Sequence, residues 1–598
     1  MQTQYRNKGL EKNLIGVNAV AAAMVAGTFI MLFGFREPLL PENILYVAQI
    51  VLFFIFTAEK IVRRFNVVSK KDFWRENWIE LPLLFVLAMV MVQAGRWVGK
   101  ADAESARHLA VGIYLVLEIV IKVCRTTVRL AASGKNPTRT LIISFVVLIL
   151  AGAGLLMLPK SAADKNVGFV DALFTSTSAA CVTGLTAKET GGDFSFMGQV
   201  IILSLIQLGG LGIVIFGAVF ALLLGQALNV RESVAMQDLL SAQTLGRIGN
   251  MIAFVFGGTI LFEAAGAIAM FNMWNSVPGR VMDLNQQWFC TIFHSISAFC
   301  NAGFGLFSDN LAGYNRNWGV YAVICPLIVI GGLGFAVLYN LGGIAADRVN
   351  RFFKKLFKKH YLFSTQMPKR MYLQTKIVLL VTTGLIVFGT LGILLFEHFA
   401  GGGNSGIGTG KNCGILDALF QSITARTAGF NTVDIGALSS SSKFVLILLM
   451  FIGGSPGGTA GGIKTVTLAV VIMAALATLR KRDEVEVFNR SIRLLIVRRA
   501  ITVTLLFIVV LFTAALALSI TENKNQFTMM QIMFETASAL GTVGLSTGIT
   551  GSLTSAGKLI IIMVMLIGRL GPLTLLASLT FNLKPARYEY PEEPVIVG

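Results

Sequence analysis

Charged residues are scarce in this chain, 14% of 598 positions, where soluble domains carry about a quarter. With 55% hydrophobic residues, so little charge cannot clothe a water-soluble surface, and the long apolar runs mark a polytopic helical membrane protein. Cysteine is also sparse. Cys124, Cys181, Cys290, Cys300, Cys325 and Cys413 are scattered without paired spacing, which excludes a disulfide framework and a zinc site. Carboxylates nearly vanish from the apolar stretches. Glu263, Glu397 and Glu535 are the obvious ones, too few to favour a transporter that binds its cargo at buried acids. No secretory leader is expected either: the stretch 14–34 follows Arg6, Lys8 and Lys12 but is too long for a signal core, and reads as a retained span. No soluble nucleotide-binding domain is expected. Gly458 to Thr465 mimics a phosphate loop, but Ile463 parts its glycine from Lys464, and Gly406 to Gly410 falls in an outer loop.

The formal charge is +19, yet its placement argues against nucleic acid. The basic residues crowd into Arg63, Arg64, Lys70 and Lys71, into Arg348, Arg351, Lys354, Lys355, Lys358 and Lys359, and into Arg480, Lys481, Arg482, Arg493, Arg498 and Arg499. Each cluster flanks an apolar span, as cytoplasmic loops do. Both termini are expected in the cytoplasm, and the run at 348–359 also suits anionic lipid or an acidic partner.

Apolar spans at 14–34, 44–62, 79–97 and 108–124 predict an N-terminal region, 1–137, of about four transmembrane helices. Glu118, Lys122, Arg125 and Arg129 in its fourth helix resemble a voltage sensor, but topology alone puts basic residues there. From 138 the pattern becomes span, half-span, span, four times: 138–248, 249–372, 373–495 and 496–587, then a cytoplasmic tail 588–598. The full spans run 140–158 and 197–224, 250–274 and 318–342, 374–400 and 441–478, and 500–520 and 557–581.

Each half-span carries one motif. Phenylalanine is followed by hydroxyls two and four places on, then alanine: Phe174, Ser176, Ser178, Ala179; Phe293, Ser295, Ser297, Ala298; Phe420, Ser422, Thr424, Ala425; Phe534, Thr536, Ser538, Ala539. The copies lie about 120 residues apart, so the unit is larger than a solenoid repeat. A glycine turn follows each: Cys181-Val182-Thr183-Gly184, Asn301-Ala302-Gly303, Thr427-Ala428-Gly429 and Thr542-Val543-Gly544. The third turn is one residue shorter, so it must differ locally. A half-helix ending in glycine must hide its backbone from lipid, and glycine's tolerance of positive φ lets successive carbonyls face a narrow lumen and replace a cation's water. The negative helix ends favour cations. Two full spans per unit bring all four half-helices in from one side, giving an all-α membrane fold with fourfold pseudosymmetry around a central pore. Plain helix packing is the alternative, and many of the hydroxyls are expected to satisfy backbone groups within the half-helix.

The span 441–478 is cut by Gly453-Gly454-Ser455-Pro456-Gly457-Gly458-Thr459-Ala460-Gly461-Gly462, which cannot continue a helix. The backbone opens in the membrane below the filter, either as a gate or as a fixed kink. Arg569, inside an apolar span, is expected to bond the loop's freed carbonyls, to raise an electrostatic barrier, or to hold helix ends together.

Residues 138–598, with Asn301-Ala302-Gly303-Phe304 and Ala425-Arg426-Thr427-Ala428-Gly429-Phe430, resemble the Trk/Ktr/HKT superfamily, closest to the Ktr membrane subunit. The resemblance implies a plasma-membrane cation pore and not an enzyme, with K+ as transported ion at the filter carbonyls and no other cofactor in this chain. Gly184, where sodium-transporting members have serine, implies potassium; a sodium-translocating or sodium-coupled transporter of the same fold is the alternative. It further implies an obstructing glycine loop with a basic residue nearby, a homodimer with the C-terminal tail in its contacts, and cytosolic nucleotide-binding regulatory subunits. The four N-terminal helices are extra to that family core.

Overall fold

The computed structural model describes residues 6–69, 137–163, 166–212, 248–276, 282–315, 317–356, 368–400, 414–482, 484–525 and 527–579, and single positions within 82–90 and 107–118. The expected span 79–97 and the C-terminal part of 108–124 lie largely outside these residues. So do Lys70, Lys71, Lys122, Arg125, Arg129, Lys358, Lys359, the 406–410 glycines and the tail 588–598.

Among the described residues, five helices are long and apolar enough to cross a bilayer alone: Gly9–Phe33, Glu42–Asn66, Gly249–Asn275, Leu373–Phe399 and Leu494–Thr521. A short antiparallel hairpin, Val485–Val487 with Arg490–Ile492, interrupts an otherwise helical chain. The N-terminal helices Lys8–Phe33 and Glu42–Asn66 pack together around Val25, Leu52 and Phe56, with Val111 and Leu115 joining them. Glu118 is fully buried there and holds Lys60 at 2.7 Å, while Arg63 pairs with Glu59 at 2.9 Å. Charges removed from water need such partners.

Four units follow. Each has an outer helix, a half-helix and an inner helix: Pro137–Leu156, Phe169–Ala180 and Phe196–Leu211; Ile248–Met270, Leu284–Cys300 and Trp318–Gly332; Leu373–Ala400, Ile415–Thr424 and Ser440–Phe451; Leu494–Thr521, Met529–Gly541 and Ser555–Leu570. Capping boxes start the second half-helix at Asp283 with Gln286 and the fourth at Thr528 with Gln531, closing orphan N–H groups reciprocally.

Lipid gives apolar helices no hydrophobic reason to associate, so close packing and polar bonds hold the units together. The first motif hydroxyl is such a bond. Ser176 donates to the Ile149 carbonyl at 2.7 Å, Ser295 to Glu263 at 2.6 Å and Ser422 to Ile386 at 2.9 Å. All three acceptors belong to the outer helix, so these hydroxyls pin two helices together; only Thr536 bonds within its own half-helix, to Ile532 at 2.7 Å. Glycine makes the approach possible, since a Cβ on Gly152, Gly266 or Gly389 would run into the same three serine hydroxyls.

Each inner helix packs against the half-helix of the next unit, and the fourth packs against the first. Lys558 reaches Asp171 at 2.7 Å across the closing seam, and Tyr321 donates to Asp417 at 2.6 Å between units two and three. The four units therefore form one closed ring.

Three inner spans expected to be continuous are broken. Gly212, Gly334 and Gly571 take φ of 80, 85 and 85°, the left-handed conformation that stops a helix. At Gly334 the chain bends by 106° before Phe335–Phe353, and past Gly571 a separate helix, Pro572–Leu579, begins. The break expected of the third unit alone is thus a feature of all four.

Substituting Gly266 by valine should overpack the joint between outer and half-helix. A cost of about 1–3 kcal/mol is expected, read as a lower thermal midpoint of the purified protein, while the neighbouring open position Gly257→Ala should leave it unchanged.

Candidate functional site

The four glycine turns share one backbone rhythm. Left-handed φ recurs at alternate residues: Val182 and Gly184 (56 and 93°), Asn301 and Gly303 (59 and 70°), Thr427 and Gly429 (79 and 82°), Thr542 and Gly544 (50 and 94°). Such alternation turns successive carbonyls toward one side, which ordinary extended chain does not. Glycine takes this conformation freely. Val182, Thr427 and Thr542 are β-branched and bear a cost of about 1–2 kcal/mol each, so neighbouring groups must over-determine the shape.

The second motif hydroxyl supplies that restraint. Ser178 accepts from the Gly184 N–H and Ser538 from the Gly544 N–H, both at 3.1 Å. In the other two units the hydroxyl donates just past the glycine, Ser297 to Phe304 at 2.8 Å and Thr424 to Phe430 at 2.7 Å. The half-helix ends match: Thr183, Ala302 and Val543 each donate from backbone N five residues back, to Ser178, Ser297 and Ser538. In the shorter third turn Ala428 reaches only four back, to Thr424 at 2.9 Å. One fewer residue is absorbed by one tighter ring.

Around the axis the turns touch. A Cβ built on Gly184 would strike the Ala302 carbonyl, one on Gly303 the Ala428 carbonyl, one on Gly429 the Val543 carbonyl, and one on Gly544 the Thr183 carbonyl. A Cβ at the same four positions would sit 2.9–3.1 Å from the Cα of the next turn's glycine. Each glycine is seated on the residue before the next glycine, in the order one, two, three, four and back to one. No side chain fits anywhere on this circle.

The position after the motif phenylalanine is polar in every unit, and of its four residues the sequence reading singled out Glu535 alone. Thr175, His294, Gln421 and Glu535 are all buried. Glu535 accepts from Ser546 at 2.5 Å, the Thr547 N–H at 2.9 Å and Thr550 at 2.8 Å, so its carboxylate staples the chain leaving the fourth turn. Of the other acids, Glu397 accepts from the Ser439 N–H at 3.0 Å and Glu263 faces Gln207 at 3.3 Å. The three carboxylates are dispersed and build no common site.

Residues 453–462 lie against the end of the ring where the half-helices stop. A Cβ on Gly461 would overlap the Thr542 side chain, and one on Gly462 would come within 3.5 Å of Gly541 Cα. The loop's glycines serve close approach: a Cβ on Gly453 would strike the Gly461 carbonyl, and one on Gly458 would come within 3.1 Å of Gly334 Cα. Carbonyls freed by the second inner helix hold the loop from below, Ser455 N donating to Gly332 at 3.0 Å and Thr459 to Gly331 at 3.2 Å. Phe335 N donates to the Gly457 carbonyl at 3.0 Å, and Ala460, on the loop itself, accepts from the Lys464 ammonium at 2.7 Å. Arg569 spans the gap to the first unit. Its guanidinium donates to the Thr459 carbonyl, to Gly209 at 2.5 Å and to Gly210 at 3.3 Å. The sequence did carry a sign of this: Gly209-Gly210-Leu211-Gly212, Gly331-Gly332-Leu333-Gly334 and Gly568-Arg569-Leu570-Gly571 are one pattern, with arginine in the second glycine's place.

Residues 112–587 match TrkH, a family described as cation transport protein. The chain belongs to the TrkH family of cation transport proteins. It is therefore a membrane transport protein and not an enzyme. Curated relatives of this TrkH-family chain include Ktr system potassium uptake protein B of Bacillus subtilis, 38% identical over 77% of this chain and 97% of that protein. The protein of the same name from Vibrio alginolyticus is 36% identical over 78% and 96%. Potassium/sodium uptake protein NtpJ of Enterococcus hirae is 33% identical over 77% and 97%. Among solved structures, the potassium transporter TrkH from Vibrio parahaemolyticus superposes with a TM-score of 0.57 at 18% identity, over 85% of this chain and 98% of that one, which supports the fold.

Removing the brace in one turn should matter more than its size suggests. Ser538→Ala leaves the buried Gly544 N–H unpaired, at an expected cost of about 1–3 kcal/mol, and the loss should appear as a reduced thermal midpoint together with weaker ion discrimination in flux assays.

Proposed function

We propose that this chain is a potassium-uptake pore of the plasma membrane, with both termini in the cytoplasm. The observation that carries the reading is the closed ring of four glycine turns, each glycine seated on the carbonyl before the next. A ring of carbonyls at backbone-to-backbone distance offers a partly dehydrated cation the ligands it loses from water. The carbonyls of Cys181, Val182, Thr183, Gly184, Asn301, Ala302, Gly303, Thr427, Ala428, Gly429, Thr542, Val543 and Gly544 serve as ligands, and four half-helix C-termini add negative potential. K+ is the cargo, moved by membrane potential or by ion coupling. The names of two Ktr relatives support K+, while the name of the potassium/sodium uptake relative favours the second reading, a pore that also admits Na+. Gly184 supports the first.

Residues Gly453, Gly454, Ser455, Pro456, Gly457, Gly458, Thr459, Ala460, Gly461 and Gly462 act as the gate, with Arg569 as its latch. The loop lies across the narrow end of the ring and is held by separate hydrogen bonds, each worth only about 1 kcal/mol. Breaking a few frees the path. The repeat boundaries expected from sequence are retained in this reading, and the N-terminal region 1–137 is an attached bundle outside the pore. The functional unit is a homodimer with cytosolic nucleotide-binding subunits, for which the exposed basic residues Arg480, Lys481, Arg482, Arg498 and Arg499 form a docking face.

Growth of a potassium-uptake-deficient bacterium on limiting K+, with regulatory subunits co-expressed, tests the reading. Wild type should rescue. Gly184→Ser, which forces a side chain against the Ala302 carbonyl, should lose K+/Na+ discrimination by tenfold or more, about 1.4 kcal/mol. Deleting 453–462 should raise unregulated flux; flux equal to or below wild type from well-inserted protein would make the loop a fixed structural plug. Na+ uptake without K+ uptake by wild type would overturn the ion assignment.

A further inference from the structure

Past Gly334 the chain leaves the pore along Phe335–Phe353, bent by 106° from the inner helix before it. That inner helix crosses the bilayer, so a helix turned this far from it runs along the surface instead. Its depth is set by its neighbours. Asn340 Oδ1 accepts from the Tyr372 N–H at 3.2 Å and from the Thr375 hydroxyl at 3.0 Å, level with the point where the third outer helix, Leu373–Ala400, enters the membrane. Phe335, Val337 and Ile344 are buried against the protein. Farther along, Ala345, Val349, Phe352 and Phe353 form a second apolar stripe at helical spacing, and all four are exposed, Phe352 to 64%.

Arg348 and Arg351 stand beside that stripe. Lys369 and Arg370, also exposed, join them from the third unit: the Lys369 N–H donates to Asp347 at 3.3 Å, and a Cβ on Gly343 would come within 3.5 Å of the Lys369 ammonium. Asp347 is engaged by Arg351 at 2.9 Å, while Arg348, Lys369 and Arg370 form no ion pair among the described residues. Hydrocarbon would penalise these cations, and water would penalise the exposed phenylalanines. Only the boundary between headgroups and acyl chains suits both, and an acidic soluble partner would satisfy the charges alone. We propose that Phe335–Phe353, with Lys369 and Arg370, is a binding surface for anionic phospholipid. Headgroup phosphates sit on Arg348, Lys369 and Arg370, and Val349 and Phe352 dip into the acyl boundary. The helix starts at the glycine-rich loop, the Phe335 N–H donating to the Gly457 carbonyl at 3.0 Å, so anchoring it on lipid steadies residues 453–462 and lowers flux; this second step rests on the gate reading, the binding step does not.

Hydrogen exchange of the full-length protein in lipid nanodiscs, followed by mass spectrometry, reads the surface directly. In phosphatidylglycerol discs the amides of 345–353 should exchange about fivefold more slowly than in phosphatidylcholine discs, and added salt should shrink the difference. The triple variant Arg348→Gln, Lys369→Gln and Arg370→Gln should abolish it. Phe352→Ser, which keeps every charge, should at least halve it, and unchanged exchange in Met529–Gly541 shows that both variants fold. A full difference that survives either variant, or no difference between the two lipids, overturns the surface. So does equal protection by soluble polyglutamate in phosphatidylcholine discs, which would make the occupant an acidic protein. K+ flux into proteoliposomes should be about threefold lower with phosphatidylglycerol; equal flux with the exchange difference intact upholds the surface and removes its hold on the loop.

Discussion

At the centre of this protein, backbone meets backbone with no side chain between. The four glycines at 184, 303, 429 and 544 each rest on a neighbour's carbonyl, and that closeness dictates much of what surrounds it. Polar main chain so concentrated in a membrane must be enclosed by protein. The half-helices deliver it there, the outer helices carry glycines so that the half-helices fit, and three of the inner helices stop at positive-φ glycines. The strain stored in Val182, Thr427 and Thr542 is tolerable because the ring leaves those residues no alternative.

The motif hydroxyls show how little polar chemistry the arrangement uses. In three of the four half-helices one hydroxyl joins the outer helix, and in all four one fixes the turn, so the same short motif serves as both anchor and brace. In water such bonds would compete with solvent at small net gain. In a bilayer the competing partner is hydrocarbon for one face of the helix and protein for the other, and a satisfied hydroxyl mainly defines position.

Much of this was legible in the residues. Span lengths, the spacing of phenylalanine, hydroxyls and alanine, and the glycine that follows are consequences of local periodicity and turn chemistry, which a single sequence displays. The ring order was not, because it depends on which inner helix touches which half-helix, a pairing between segments that belong to different units and lie far apart in the chain. The left-handed shape of Val182 was hidden for the opposite reason: its own propensity argues against that conformation, and only the assembled neighbours impose it. The inner-helix breaks were visible in principle. Gly209 to Gly212, Gly331 to Gly334 and Gly568 to Gly571 repeat one another, but apolar runs as long as a membrane span mask a stop within them. Glu535 drew attention as an acid in a hydrophobic chain, and the structure gives it the duty of a staple.

A ring assembled from identical subunits must place the same device at every position or at none. Here the four units are joined in one chain, and they have diverged. One turn is shorter by a residue, one inner span is interrupted by the ten residues 453–462, and Arg569 stands where two other units have glycine. Covalent linkage thus permits a fourfold ring to carry a single asymmetric loop, attached on one side and bonded by Arg569 from another. On the proposed gate reading, passage is decided by one moving part, so conductance should switch between closed and open in a single step, without the graded sublevels that four independent flaps would produce.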